Sequence, residues 1–592
     1  MTIRASERRK RSLPKADLSK MKKIAAAFLL CALVSAASPP RRSKISADAS
    51  SSANSQSTLT VIVQWNCAVG GSTAQVIAAL GGTTVSEFQL VRQGIYRIPA
   101  SALSGLDASQ DVKYVSIDRQ IHHKLDNTAA AVNASATWGA GWVGTGVGVA
   151  VLDSGINADP NLTSIVYSAD FTGTTGSLAG RDQFGHGQHV AGIIASNSSV
   201  TAVAGGPVSS YTRSFKGIAP GASLIDLRVL DQNGVGSDST LIAALDRAIS
   251  LRQLYNIRVI NISLGRPVYE SYTVDPVCQA VEAAWRAGMV VVVAAGNDGR
   301  DDSYGNQGYG TITAPGNDPY VITVGAMKTN GTYDRSDDLI ATYSSKGPTA
   351  VDHVAKPDLV APGNRVVSLQ AAKSTLLALS PANAVLQSYY ESTNNGQGKK
   401  ASGNFFQLSG TSMAAPVVSG AAAALIQARP SLTPDQVKIL LMQTAYKTFP
   451  ASSSATDLAT NITYTDYYDI FTVGAGYLDL GSALAAIDSV PLQGTAISPI
   501  ANYDQTTGVV TLSYDPSSVF ANRAMWGTRA MWGTQSVWGA SVVNADRAMW
   551  GTRAIWGTTT TATRAMWGTS AGFSATSTTA AESTTVSLAG EQ

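Results

Sequence analysis

The sequence predicts an α/β fold: a mostly parallel sheet covered on both faces, preceded by a small α+β unit and followed by a Thr/Ser-rich region with a tryptophan repeat. Three observations lead there. Between residues 128 and 488, strand-like runs alternate with helical stretches. Those runs are continuous Val/Ile/Ala rather than alternately apolar and polar, the pattern of strands buried on both faces. The chain is 44% hydrophobic and only 14% charged, which supplies a large core and excludes a charged disordered chain or a coiled coil.

Residues 1–37 read as a leader and signal peptide. Met21-Lys22-Lys23 is a basic start and 24–34 an apolar run, shorter than the ~20 residues of a membrane span; small residues around Ser35-Ala36 follow. Both Met1 and Met21 are candidate starts. Export to the outside of the cell or its surface is the expectation. The net charge of +3 belongs to this leader, because residues 1–45 hold twelve Lys/Arg against two acids. The remainder is acidic, so nucleic acid is not an expected partner. Of three cysteines, only Cys278 would survive removal of the leader and the segment after it, so the processed protein is expected to lack an internal disulfide.

Residues 38–57 are Ser/Ala-rich and read as a linker. Residues 58–127 read as a small α+β unit, with strands at 59–63, 94–98 and 112–117 and helices at 72–80 and 102–106. In 128–488, strands are expected at 147–152, 223–230, 258–263, 289–294 and 320–324. Asp275-Pro276 and Thr433-Pro434 each place a cap before a proline at the first helical position, and Gly288 stops the first of those helices. In such sheets function gathers at the carboxyl ends of strands and the helix starts beyond them.

Three short segments carry chemistry. In Val149-Ala150-Val151-Leu152-Asp153-Ser154-Gly155 an apolar strand ends in a carboxylate. Gly185-His186-Gly187-Gln188-His189 holds two of only five histidines, and Ser409-Gly410-Thr411-Ser412-Met413-Ala414-Ala415-Pro416 opens an Ala-rich helix with a serine. Singly, these residues suit a turn, a satisfied histidine and a helix cap. Together they supply what nucleophilic catalysis needs: a hydroxyl, an imidazole base and a carboxylate to orient the base.

These segments, with 217–222, 260–265, Ala294-Ala295-Gly296-Asn297, 343–348 and 357–363, resemble the secreted subtilisin-like serine proteases in content and order. The resemblance implies the subtilisin-like three-layer fold and a secreted endopeptidase acting through an acyl-enzyme. It implies Ser412 as nucleophile, His186 as general base and acid, Asp153 as the orienting carboxylate, and Asn297 as side-chain oxyanion donor. His189 is the expected structural histidine, and Gln188 stands where the family carries Thr. The different-class alternative is an inactive surface-binding protein on the same fold.

The resemblance further implies that Ser263-Leu264-Gly265 and Ala294-Ala295-Gly296 wall the primary specificity pocket, and that Gly234-Val235-Gly236 pairs with the substrate backbone as an added strand. The small walls favour an apolar or broad preference, while Asp298, Asp301 and Asp302 leave a basic side chain open as an alternative. The loop 300–314 is expected at the pocket floor. Insertions at 196–215 and 370–404 read equally as lids or as surface decoration. No cofactor is required for the chemistry. Structural calcium is a family habit, for which Asp301, Asp302, Asp334, Asp337 and Asp338 are candidate ligands, against the simpler reading of solvated loop acids. Residues 58–127 sit where the family carries an inhibitory propeptide, so protein or peptide substrates and this unit are the expected partners. Self-cleavage is expected between about residues 118 and 135.

Residues 489–592 contain a repeat of Arg-Ala-Met-Trp-Gly-Thr, with Trp526, Trp532, Trp538, Trp550, Trp556 and Trp567 at spacings of 6, 6, 12, 6 and 11. Even spacing puts successive tryptophans on one face of an extended strand, while a Gly in every unit suggests turns. A poorly ordered tail, a binding surface for cell envelope, polysaccharide or insoluble protein, and a segment docked on the catalytic domain are the three readings.

Overall fold

A computed structural model describes residues 43–46, 49–50, 58–90, 92–117, 124–125, 127–198, 213–303, 305–390, 401–457, 460–490, 493–504, 509–522, 588 and 590–591. The leader, the segment 118–123 and the whole tryptophan repeat lie outside the described residues, as do most of the insertion 196–215 and residues 391–400. The chain divides into two units at His122/His123.

The first unit is a four-stranded antiparallel sheet in the order β2-β3-β1-β4, built from β1 (Thr58–Trp65), β2 (Thr83–Phe88), β3 (Gln93–Pro99) and β4 (Val112–Ile117). Helices α1 (Gly71–Ala79) and α2 (Leu103–Ala108) complete it. Strand β1 alternates between buried and half-buried positions, as a one-face-covered sheet requires. The sequence reading missed β2, whose Thr/Ser/Glu content leaves four of its six residues exposed. It also placed residues 43–50 within or beside a plain linker. Instead Ser46 N donates to Val115 O at 2.9 Å, Val115 N donates to Lys44 O at 2.8 Å, and Ala49 is buried.

The second unit is built on an eight-stranded sheet. Its main strands are β5 (Gly148–Asp153), β6 (Ile165–Asp170), β7 (Ser223–Arg228), β8 (Ile257–Ile262), β9 (Val290–Ala294), β10 (Ile322–Lys328), β11 (Leu339–Ile340) and β12 (Leu359–Pro362). The order is β11-β10-β9-β8-β5-β7-β6, with β12 also pairing β10. All pairs are parallel except β10 with the two-residue β11. Every residue of β5, β9 and β10 is buried, so both faces are covered, as the continuous apolar runs predict.

Helix α3 (His186–Ala195) follows β6. Helices α4 (Asp238–Leu251) and α5 (Pro276–Arg286) pack on each other and on the sheet. Asp275 caps α5 by accepting from Val277 N and Cys278 N, with Pro276 at the first helical position. Helix α6 (Thr411–Ala428) is long and apolar enough to cross a membrane by length and composition, but it is the core helix, packed on β8, β9, β10, β12 and α3. Its small residues permit close approach: a Cβ on Gly420 would meet Ile218 Cβ at 2.6 Å. Thr433 opens α7 (Pro434–Thr444) with a reciprocal capping box to Gln436.

The expected domain end at 488 falls too early for the packing. Val490, Ala496, Ala501, Val510, Val519 and Phe520 belong to the main core. Ser498 Oγ donates to Asp358 Oδ1 at 2.6 Å and accepts from Lys438 Nζ at 2.8 Å. Lys438 also donates to the carbonyls of Pro319 and Val321, and burial pulls its ammonium down to about 7 against the Asp358 charge. A polar centre this deep needs all its partners, so Ser498 is integral to the unit.

Candidate active site

Asp153 ends β5 and His186 begins α3, so both stand at the carboxyl edge of the sheet. Asp153 is 1% exposed; its Oδ1 accepts from Ser154 N at 2.8 Å and lies 2.7 Å from His186 Nδ1. Asp153 Oδ2 has no hydrogen-bond partner among the described residues. Burial alone pulls the His186 pKa down. The charge and hydrogen bond of Asp153 more than offset that, so the imidazole lies above its ordinary value of 6.5. Gly187 makes the approach of α3 to this strand end feasible, because a Cβ there would meet Gly155 O at 2.3 Å.

A second carboxylate, absent from the sequence reading, organises the same corner. Asp182 accepts from Gly185 N at 2.6 Å and Gln188 N at 2.7 Å, so it satisfies open amides at the start of α3. It also accepts from Ser154 Oγ at 2.9 Å, and that hydroxyl in turn accepts from Gly187 N at 2.9 Å. Burial raises Asp182 to about 6 despite these bonds. Gln188 is accommodated because its Oε1 accepts from Asn157 N at 2.8 Å. His189 is fully buried, with Nε2 at 3.1 Å from both Val366 O and Phe406 O; two carbonyl acceptors make that nitrogen the protonated one. Burial first, and the neighbouring His186 second, push it down to about 3.

Ser412 is the second residue of α6. Its Oγ donates to Ser263 O at 2.9 Å, and Ser263 Oγ donates back to Ser412 O at 2.9 Å. Asn297 follows β9 and touches the same helix start. Its Oδ1 accepts from Thr411 N at 2.9 Å and Thr411 Oγ1 at 3.1 Å, which leaves Nδ2 as the outward donor. Thr411 Oγ1 also accepts from Gly296 N at 3.1 Å, so this threonine sets the Asn297 rotamer. Gly410, at φ +141, brings the turn within 3.1 Å of Asn297 Nδ2, measured from where a Cβ would sit.

A cleft of about 490 Å³ is lined by His186, Ser412, Asn297, Ser263, Leu264, Gly265, Ala294, Gly296, Gly234, Val235 and Gly236. Ala295 does not line it. Ala295 is fully buried, its N–H donates to Val324 O at 3.0 Å and its carbonyl accepts from Thr313 N at 3.0 Å. Thr313 and Ala314 close the floor between the two walls: Ala314 N donates to Arg266 O at 2.8 Å, and a Cβ on Gly265 or Gly296 would strike the Thr313 side chain. Asp298 lines the cleft, but Asp301 and Asp302 are not among the lining residues. Besides Asp298 the lining carries Asp238 and Arg266; Arg266 is held by Asp238 at 2.8 Å and by buried Asp275 at 2.8 Å.

Three of the five expected calcium candidates cap turns, and a fourth accepts from a side chain. Asp301 accepts from Ser303 N, Asp302 from Gln307 N, Asp334 from Ser336 N and Asp337 from Thr332 Oγ1. Asp338 is buried, and burial raises its pKa to about 7. Among the described residues no group of three or more His, Cys, Asp or Glu is arranged to hold a metal ion. The insertion 370–404 is more than decoration. Leu376 N donates to Phe184 O at 2.9 Å and Thr375 N to Gln183 O at 3.0 Å, two and three residues ahead of the α3 start.

Comparison with known proteins places the chain in a family. The sequence profile described as "Subtilase family" matches residues 144–467. The chain is 35% identical to "Serine protease AprX" of Bacillus subtilis (strain 168) over 355 residues, covering 58% of this chain and 71% of that protein. It is 31% identical to "Subtilisin E" of the same organism over 374 residues, 62% of this chain and 80% of that protein. It is also 31% identical to "Extracellular serine proteinase" of Thermus sp. (strain Rt41A) over 400 residues, 63% and 76% of the two chains.

Proposed function

This chain belongs to the subtilase family of serine endopeptidases, and on that premise we propose that it cleaves proteins through a triad of Ser412, His186 and Asp153. The observation that carries this reading is the 2.7 Å contact of His186 Nδ1 with buried Asp153, at the edge of a cleft shared with Ser412 and Asn297. Ser412 Oγ turns from the Ser263 carbonyl to His186, loses its proton to Nε2 and attacks the scissile carbonyl carbon. The new oxyanion accepts from Asn297 Nδ2 and from the free N–H of Ser412 at the start of α6. Collapse transfers the His186 proton to the leaving amine and leaves an acyl ester on Ser412. Water, deprotonated by His186, then hydrolyses that ester. Asp153 holds the tautomer and stabilises the imidazolium throughout.

Gly234-Val235-Gly236 and Ser263-Leu264-Gly265 take the substrate as an added strand. With Thr313 at the floor and Arg266 neutralised by two carboxylates, the primary pocket takes an uncharged side chain. The chemistry needs no cofactor. The unit spanning 58–127 acts as an inhibitory propeptide, removed by self-cleavage between about 118 and 135, and the leader exports the precursor. The tryptophan and arginine repeat is the segment available for cell envelope, polysaccharide or insoluble substrate. A serine-directed fluorophosphonate tests the core of this reading. The mature protein should be labelled once, at Ser412, and the His186→Ala protein should not react; mature protein left unlabelled at Ser412 would overturn it. A Ser412→Ala precursor that matured when pure and alone would overturn self-processing.

A further inference from the structure

The described residues beyond the tryptophan repeat, Leu588, Gly590 and Glu591, are seated on the catalytic unit. Glu591 is 5% exposed. Its Oε1 accepts from Arg300 Nη2 at 2.8 Å, from Thr342 N at 2.7 Å and from the Thr342 hydroxyl. Its Oε2 lies 3.1 Å from Lys328 Nζ. Its backbone is read as well: Glu591 N donates to Asn364 Oδ1 at 2.8 Å and Asn364 Nδ2 donates to Glu591 O at 2.9 Å. Asn383 Nδ2 donates to Leu588 O. Gly590 has φ +64, and a Cβ there would meet Ser409 Oγ at 2.4 Å, so a side chain at this position would be excluded.

The socket is built for an anion. Lys328 and Arg300 have side chains only 7% and 10% exposed. Arg300 is shared with Asp457, whereas Glu591 is the one carboxylate within ion-pair distance of Lys328 among the described residues. A nearly buried ammonium without its carboxylate is strongly unfavourable. The socket also lies behind the catalytic turn. Asn364 neighbours Gly363, whose carbonyl accepts from Gly410 N at 2.8 Å, and Ser409 Oγ accepts from Arg365 N at 2.9 Å.

We propose that Arg300, Lys328, Thr342 and Asn364 form an acid-specific socket whose ligand is the chain's own segment 588–591, with Glu591 as the plug. Because Val519 and Phe520 are buried in the same unit on the other side of the repeat, this latch fixes the tryptophan-bearing segment to the catalytic unit at both of its ends. It also braces the turn that presents Gly410 and Ser412. The plug lies beyond the family match, which ends at 467, while the four socket residues lie within it.

The test is capture of the segment in trans by the full chain, in a Ser412→Ala background so that the probe is not digested. The probe is a fluorescent synthetic peptide of residues 584–592. Glu591→Ala should empty the socket and let the peptide bind saturably, at least tenfold more tightly than to the chain with Glu591 intact. A peptide with Gln in place of Glu591 should not bind, and Lys328→Met should abolish capture. Glu591→Gln, the milder variant, should behave as Glu591→Ala if the charge is what seats the plug. Equal binding to both chains, no binding to either, or equal binding of the Gln peptide would each overturn the latch.

Discussion

Helix α3 carries two histidines three residues apart whose surroundings push them in opposite directions. His186 faces the cleft, touches Asp153 at 2.7 Å and is raised above its ordinary value. His189 points into the core between two carbonyls and falls to about 3. His189 is fully buried and the His186 side chain is only 15% exposed, so desolvation opposes the charged form in each. The difference is the counter-charge: one has a carboxylate in contact and the other has only dipoles. One helix thus places a base that can carry a proton beside a scaffold residue that must stay neutral.

Removing each histidine should separate these roles. His186→Ala should lower kcat by at least about 10⁴-fold, because the serine loses its proton acceptor. Its stability should change by less than about 1 kcal/mol. A matched loss of stability in chemical denaturation would break the distinction. Asn297→Ala comes next, at about 10²–10³-fold in kcat, a scale taken from subtilisin itself. KM should be little changed, because the amide serves the oxyanion and not the bound peptide. His189→Ala should do the reverse of His186→Ala. It leaves a cavity and two unpaired carbonyls, for about 3 kcal/mol of stability, while fluorophosphonate labelling of Ser412 in the folded fraction persists.

The same contrast can be read with pH. Activity needs neutral His186, so a raised pKa puts the acid limb of kcat/KM above the usual imidazole value. Stability follows His189 instead. Its folded pKa of about 3 lies below the unfolded 6.5, so its contribution is complete above pH 6.5 and is lost as pH falls towards 3. The slope reaches about 1.4 kcal/mol per pH unit. Asp182, raised to about 6, has the opposite sign: its penalty is present above 6 and relaxes as pH falls towards 3.8. His189→Asn should therefore flatten or reverse the wild-type slope between pH 6.5 and 4. Parallel stability profiles for the two proteins would refute the assignment.

What the sequence made legible follows the same physics. Asp153, His186 and Ser412 each end or begin a regular element, so short local segments announce them. Thr411 was in view in the serine segment, but its role depends on Asn297 and Gly296, more than a hundred residues away. Asp182 resembles any loop carboxylate until α3 is seen to start against it. The loop 300–314 is legible as the pocket floor, but that Thr313 is the residue closing it shows only when both walls are laid beside it. The region after 488 was read as low-complexity because Val490, Ala496, Ala501, Val510 and Phe520 are scattered without a period among Thr and Ser. Their burial comes from a surface made by other segments. Glu591 is the extreme case, since its partners Arg300, Lys328, Thr342 and Asn364 come from four separate stretches of chain.

The smallest effect expected concerns the insertion that packs ahead of α3. Thr375 donates its N–H to Gln183 O at 3.0 Å and its hydroxyl to Gln232 O at 2.7 Å, so it ties the approach to His186 to the loop that leads into Gly234. Thr375→Val keeps the shape and the backbone bond and deletes only the hydroxyl. The Gln232 carbonyl is near solvent and regains a partner there, so the loss should be about 1 kcal/mol. His186 is held from the other side by Asp153 and by the Asp182 contacts, so kcat should stay within about twofold. KM should rise slightly, because Gly234 to Gly236 line the cleft as the edge proposed to receive substrate. A fall in kcat with KM unchanged would instead make the insertion a support of the base, and would move the boundary between scaffold and chemistry from within α3 to the loop before it.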